Sequence, residues 1–197
     1  MPIKLKWKWD AITAVASLAV AITGAAALIY ARSQIEQAQR QAQAENLQKQ
    51  EERFFDSPKM LQTRKTLACS RLTQDRKSLN KLDLENPPPE LYDVMSFFET
   101  VGLLTRKKAL DANDIWNEFG YWIENYYMDS RGVIERSHAE GVLYWYDEFV
   151  RLADVNADID KKNGGGGVLT TEDLRKFYID ECDSLSSGAT ARKRKKK

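Results

Sequence analysis

The side chains best suited to chemistry in this 197-residue chain are one histidine, two cysteines and scattered carboxylates. Glu135 and His138 stand three residues apart, so a helix would place them on one face, as in half of a di-iron site. A complete site needs a second such pair, and His138 is the only histidine. The same count excludes a histidine-rich zinc site. We interpret the pair as a surface or capping feature, and no sequence spacing links Cys69 or Cys182 to His138 as a nucleophile pair.

Acidic and amide side chains alternate in the stretch DVNADID, residues 154–160, as they do at the start of a calcium-binding loop. An EF-hand loop also requires glycine at its sixth position and glutamate at its twelfth. Those positions hold Ile159 and Gly165. The sequence therefore predicts a solvated acidic loop without a calcium site.

Four consecutive glycines at 164–167 are a weak signal for phosphate binding. A phosphate loop spaces its glycines, follows a strand and ends in Lys-Ser/Thr at the start of a helix. None of these features is present, so the glycines predict a linker. With no converging acid, base, nucleophile or ligand set, the sequence predicts no enzyme, no cofactor and no metal site.

The two cysteines, Cys69 and Cys182, lie far apart in the sequence. One disulfide is compatible with this count, but spacing alone cannot establish it. The simpler interpretation is two separate thiols, flanked by apolar residues, in a reducing compartment.

Residues 11–31 contain no charged side chain and are rich in alanine. As a helix they would extend roughly 31 Å, close to the thickness of a bilayer's hydrocarbon core. Their seven strongly apolar residues favour insertion by roughly 2 to 4 kcal/mol. Trp7, Trp9 and Tyr30 flank the run as membrane-interface anchors, so we predict a single transmembrane helix. The alternative is a signal peptide cleaved near Ala27, which would release an exported soluble protein.

Basic residues balance on the two sides of this run, so the positive-inside count is a tie. The chain ends in a basic tail with a charge of +6, whereas residues 1–191 sum to −5 against a total of +1. Anionic lipid would attract such a tail, which favours a bacterial inner-membrane protein with a cytoplasmic C-terminal domain. The acidic body does not favour nucleic acid as a partner. The candidate anionic-lipid contacts are Arg192, Lys193, Arg194, Lys195, Lys196 and Lys197.

The remaining organisation is predicted to be all-α: a transmembrane helix that continues into a polar helix and then a small helical bundle. Helix-forming residues without glycine or proline fill the polar helix, and no useful strand-like alternation occurs. A weak coiled coil, or small residues at every fourth position of the apolar run, would allow a homodimer. The predicted segments are the basic flank 1–10, the transmembrane helix 11–31, the polar helix 32–56, the bundle 57–153, a flexible loop 154–168, a last helix 169–185 and a disordered basic tail 186–197.

Capping and proline signals set the helices of the bundle. Ser57-Pro58 starts one that runs to about Leu72, and the next covers Pro89 to Val101 with Gly102 as a stop. Asp111 caps a helix to about Met128, and Leu110 before it contacts Ile115. A further helix is expected over 134–152, with Val142 and Trp145 facing inward. Dense aromatics at helical spacing indicate a packed core rather than a stacking surface.

The stretches FFDSPKMLQTRKTL, VMSFFETVGLL and LYWYDEFVRLAD resemble a mostly bacterial, membrane-anchored helical family known only as a domain of unknown function. The resemblance covers about residues 11–153 and implies no catalytic residue. The basic N-terminal start and the glycine-rich extension depart from the family pattern. The matching residues are Phe97, Phe98, Glu99, Gly102, Leu103, Asp111, Trp116, Phe119, Tyr146, Phe149 and Leu152.

Taken together, these patterns predict a single-pass membrane protein whose helical domain binds another protein or itself, with membrane lipid as the second partner. An exported soluble protein is the first alternative, and a membrane-associated enzyme of unknown reaction is the second.

Overall fold

The computed structural model describes the backbone of residues 3–73, 87–141 and 146–186, and the side chains of those residues except 3–16, Ala19 and Ala21. This part of the chain is helical and contains no strand, which confirms the all-α class. It divides into two compact units, residues 1–42 and 43–197. The elements are α1 (Ile3–Glu51), a π-helical turn (Glu52–Asp56), α2 (Pro58–Thr73), α3 (Pro89–Arg106), α4 (Ala112–Ala139), α5 (Asp147–Lys162) and α6 (Thr171–Ser186).

The first unit consists of the N-terminal part of α1. Every side chain that the structure describes in this unit is exposed. Arg32 and Glu36 pair one turn apart at 3.0 Å. Within the described residues, no helix has the length and apolar character needed to cross a membrane. The transmembrane helix predicted for residues 11–31 is therefore not supported by the described part of the chain.

The second unit is a helical bundle packed around the aromatic side chains of the π-helical turn. The Phe54 ring lies 4.8 Å from Phe97 and 5.7 Å from Phe119, centroid to centroid. Phe55 stacks on Phe119 at 5.5 Å. Both turn residues are buried, so the end of α1 is built into the core. The packed aromatic core predicted from the helical spacing is thus present among the described residues.

Helix α4 is longer than the sequence predicted. It was expected to end near Met128, but it continues through Ala139, because Val133 and Ile134 extend its buried face. The chain then turns through Gly141, whose φ of +80° favours glycine. The single helix expected over 134–152 is therefore wrong, since α5 begins only at Asp147. Residues 142–145, which include the predicted inward Val142 and Trp145, lie outside the described part.

Helix α5 also runs further than predicted. It ends at Lys162, so most of the stretch expected to be a flexible loop is helical. The non-helical connection to α6 is short and contains Gly164 and Gly166, both with positive φ. Thr170 caps α6 reciprocally with Asp173: each accepts a hydrogen bond from the other's backbone N–H, at 3.2 and 2.9 Å.

Helices α2 and α3 begin at their predicted prolines, Pro58 and Pro89, but α3 does not stop at Gly102 and continues to Arg106. The charged stretch 74–86 between them lies outside the described residues. The cap predicted for α4 is present, since the Asp111 carboxylate accepts from the backbone N–H groups of Asn113 and Asp114.

Candidate functional site

Helices α2, α4 and α6 enclose a buried ion pair. The Arg64 guanidinium is fully buried and donates to both carboxylate oxygens of Glu181, at 2.7 to 3.0 Å. It also donates to the Phe54 carbonyl at 3.0 Å, and its Cζ lies 4.1 Å from the centre of the Phe54 ring. Trp122 Nε1 and the Tyr126 hydroxyl donate to the same carboxylate at 3.1 and 3.3 Å. Glu181 is therefore surrounded by donors from two helices.

A second buried pair lies further along the same three helices. Arg71 on α2 contacts the Asp129 carboxylate of α4, and the Tyr178 hydroxyl of α6 donates to its other oxygen at 2.6 Å. Burial raises the pKa of Asp129 above its ordinary value, against the opposing effects of Arg71 and Tyr178. Burial likewise raises the pKa of Tyr178 well above its usual value. Both acidic side chains of these clusters are committed to internal partners, so neither is open to a ligand.

A disulfide joins α2 to α6 beside these pairs. Cys69 and Cys182 are bonded, with their Cα atoms 5.1 Å apart and a sequence separation of 113. The interpretation of two separate thiols is therefore wrong. Sequence spacing gave no means of pairing them, because their proximity depends on where α6 docks. We call the two ion pairs and this disulfide the α6 clasp.

The motif Phe-Phe-Glu-x-x-Gly, residues 97–102 of α3, contacts and positions the start of α5. Phe97 and Phe98 lie in the core. Glu99 accepts a hydrogen bond from the backbone N–H of Phe149 at 2.8 Å, which caps α5 from a neighbouring helix. A side chain at Gly102 would overlap the carbonyl of Glu148, so glycine is needed for the close approach. The family-like residues of this stretch thus form a helix junction rather than a reactive site.

A half-buried carboxylate on α4 titrates near neutrality. Burial raises the pKa of Glu124 to about 7, and the nearby Asp160 carboxylate adds to that rise. Asn156 of α5 donates to Glu124 at 3.0 Å. This arrangement makes the α4–α5 contact dependent on pH. Asn156 and Asp160 fall within the stretch predicted to be a loop, and a loop prediction does not foresee this contact with α4.

The histidine and the carboxylates that were candidates for a metal site are not brought together among the described residues. Glu135 pairs with Arg131 at 2.7 Å, while the His138 imidazole faces Asp147 at 3.3 Å. The acidic positions 154–160 lie along helix α5 and do not form a loop. Among the described residues, no group of three or more His, Cys, Asp or Glu side chains is placed to hold a metal ion.

The proposed lipid contacts are only partly described. Tyr30 is exposed on α1, whereas the side chains of Trp7 and Trp9 and the basic residues 192–197 lie outside the described part. Most of the large apolar side chains that are exposed in the structure belong to the first unit. Their exposed fractions run from 58% to 74% for the group Leu18, Val20, Ile22, Leu28, Ile29, Tyr30 and Ile35.

The described residues define a class: a helical protein with a long helix α1, a compact bundle and a helix, α6, fastened to the bundle by buried charges. The chain belongs to the family described as "Domain of unknown function (DUF4760)", whose pattern matches residues 11–154. That membership confirms the predicted resemblance to a family of unknown function. No match was found among curated proteins or among solved structures. Helix α6 lies outside the matched range.

Proposed function

We propose that this protein is a membrane-anchored helical module in which residues 11–31 enter the bilayer and the bundle binds a protein partner at the membrane surface. The observation that carries the proposal is the exposed apolar surface of α1. Leu18, Val20, Ile22, Leu28 and Ile29 are each 62% to 74% exposed. Each such side chain contributes about −0.3 to −0.6 kcal/mol at the centre of a transmembrane helix, so these five together favour insertion by roughly 1.5 to 3 kcal/mol.

Lipid is the environment that the sequence favours for this surface. The run carries no charge over twenty-one residues, and basic and aromatic side chains precede it. A partner helix would cover only one side of α1, whereas lipid surrounds a helix on every side. The buried carboxylates of the bundle are held by internal donors, so the proposed binding role does not use them.

Membrane insertion is tested with paired substitutions in the full-length chain. An arginine at the centre of a transmembrane helix costs about 2.5 to 3.5 kcal/mol, while an isoleucine contributes about −0.3 to −0.6. Ile22→Arg should therefore remove about 3 to 4 kcal/mol, which is the whole of the expected insertion energy. The measurement is the fraction of protein kept in membranes after extraction with alkaline carbonate.

Val168 provides the matched control, because it is a 92% exposed apolar residue outside the run. Val168→Arg should leave membrane retention unchanged, whereas Ile22→Arg should release the protein. If carbonate extracts the same fraction of Ile22→Arg, Val168→Arg and the unchanged chain, the proposal that residues 11–31 anchor the protein is contradicted. N-terminal sequencing of the mature protein tests the alternative, since a start beyond Ala27 would show cleavage and export.

A further inference from the structure

We infer that the bundle functions on the oxidising side of the membrane, and that a thiol oxidase of that compartment forms the Cys69–Cys182 bond. This inference rests on the proposed membrane association for its orientation but not for the bond itself. The inference adds a second partner, identified by its chemistry: an oxidase whose own disulfide accepts two electrons from the cysteines. It also reverses the orientation predicted from the basic tail.

Both cysteines of the chain are used in the bond. Persistent disulfides are characteristic of exported proteins, because thiol systems keep cytosolic cysteines reduced. The two cysteines stand 113 positions apart on different helices, whereas catalytic redox pairs commonly form a Cys-x-x-Cys motif. The bond therefore has a structural role, and a structural disulfide points to an oxidising compartment.

The bond fastens α6 to α2. Helix α6 follows a connection whose glycines, 164–167, are all exposed, so the connection itself does little to position the helix. Cys182 stands next to Glu181, which pairs with Arg64, and Cys69 lies between Arg64 and Arg71 on α2. The ion pairs thus hold α6 in the position that brings the two sulfur atoms together, so docking of α6 favours the bond.

Charge at the start of the chain permits this orientation. With the bundle outside, Lys4, Lys6 and Lys8 lie inside, within a few residues of the apolar run. On the other side, Arg32, Arg40 and Lys49 follow within about twenty residues, so the positive-inside count is a tie. The basic residues therefore do not oppose the orientation that the disulfide favours.

The redox step balances with a protein disulfide as the oxidant. The thiolate of one cysteine attacks the oxidase disulfide, forming a mixed disulfide and releasing one oxidase thiolate. The thiolate of the other cysteine then attacks the sulfur of the first, forming the S–S bond and releasing the second oxidase thiolate. Two protons leave the cysteine thiols, and two electrons reduce the oxidase disulfide to a dithiol.

The test measures the redox state and the membrane side of the full-length chain in a bacterial host. Cells are quenched in acid, and free thiols are then labelled with a polyethylene glycol maleimide before and after reduction. We expect no gel shift before reduction and a shift for two adducts after it. In a host strain lacking its extracytoplasmic thiol oxidase, the two-adduct shift should appear without reduction.

Sidedness is measured with protease added to intact spheroplasts, using epitope tags at each end. The C-terminal tag should be lost while an N-terminal tag on the membrane fraction is protected.

A Cys69→Ser variant is the matched control for the thiol labelling. Its single remaining cysteine, Cys182, should be labelled without reduction in either strain.

Three results would overturn the inference: two free thiols in the normal host, a bond that forms equally in the oxidase-deficient host, or a bundle protected from external protease. Failure of the anchor gives a different result. If carbonate extracts the protein, yet its cysteines are oxidised and the bundle lies outside the cytoplasm, the proposed membrane anchor is contradicted. The inferred compartment and the role of the thiol oxidase would still stand.

Discussion

The buried ion pair between Arg64 and Glu181 gives the sharpest prediction about stability. In Glu181→Gln the carboxylate charge is lost, while the shape of the side chain and one acceptor oxygen are kept. Arg64 would then be a fully buried cation without its counter-charge. Breaking a buried pair on one side typically costs 3 to 5 kcal/mol, and we expect about that loss in the free energy of unfolding. This is a large fraction of the roughly 5 to 15 kcal/mol that stabilises a typical domain.

The assay is urea unfolding of the oxidised full-length protein in detergent, followed by tryptophan fluorescence. The intact disulfide keeps α6 tethered, so the measurement reports the ion pair rather than loss of the helix. Asp183→Asn is the matched control on the same helix, because Asp183 is exposed. It should change the free energy of unfolding by less than about 0.5 kcal/mol.

A double variant separates the ion pair from general damage. When both charges are replaced by apolar residues, as in Arg64→Met with Glu181→Leu, no buried charge is left uncompensated. The double variant should be more stable than Glu181→Gln, since such replacements are often neutral or stabilising. If Glu181→Gln loses less than about 1 kcal/mol, or if the double variant is the less stable of the two, the reasoning is refuted.

Three further predictions use other features of the bundle. Reduction of the Cys69–Cys182 bond should lower the free energy of unfolding in urea by about 5 kcal/mol, the chain-entropy value for a loop of 113 residues; a serine variant at both positions should not respond to reductant. Gly102→Ala should cost about 1 to 3 kcal/mol in the same assay, because the added methyl group overlaps the Glu148 carbonyl; no loss would contradict the close packing of α3 and α5. The raised pKa of Glu124, about 7 against an ordinary 4.5, means that the folded protein holds a proton that the unfolded chain releases between these values. Stability should therefore fall as pH rises from about 4.5 to 7, and this fall should be smaller in Glu124→Gln.

The helical class and the aromatic core were predictable because they depend on local spacing. Phe97, Phe98 and Phe119 recur at intervals that place them on inner helix faces, and they pack together in the structure. The Asp111 cap was equally predictable, because its partners lie within three residues. Such features need no knowledge of which helices are neighbours.

The helix boundaries that were predicted wrongly depend on tertiary packing. The helix that Asp111 caps was predicted to end near Met128, but the buried Val133 and Ile134 carry α4 past that position. The acidic stretch of α5 looked like a loop, yet Asn156 is buried against α4 while its acidic neighbours Asp154 and Asp158 face solvent. In both cases burial of one face outweighed the local preferences of the residues.

The α6 clasp could not be derived from spacing, because its partners are separated by up to 117 residues. One signal was nevertheless available. Arg64 and Arg71 are seven residues apart and fall on the same face of α2 as Leu67 and Ala68, both of which are buried. Charged residues on an apolar face are rarely buried without a partner. That pattern would have predicted buried acceptors, although not Glu181 and Asp129 by number.

The glycine connection before α6 has a consequence for how this fold tolerates change. Closing a longer loop costs little, about 0.6 kcal/mol for each doubling of its length. Because the final helix finds its place through Glu181, Tyr178 and Cys182 rather than through the backbone leading to it, insertions between Gly164 and Gly167 should leave the packed protein intact. The same independence makes that connection the natural place to introduce a cleavage site or a reporter.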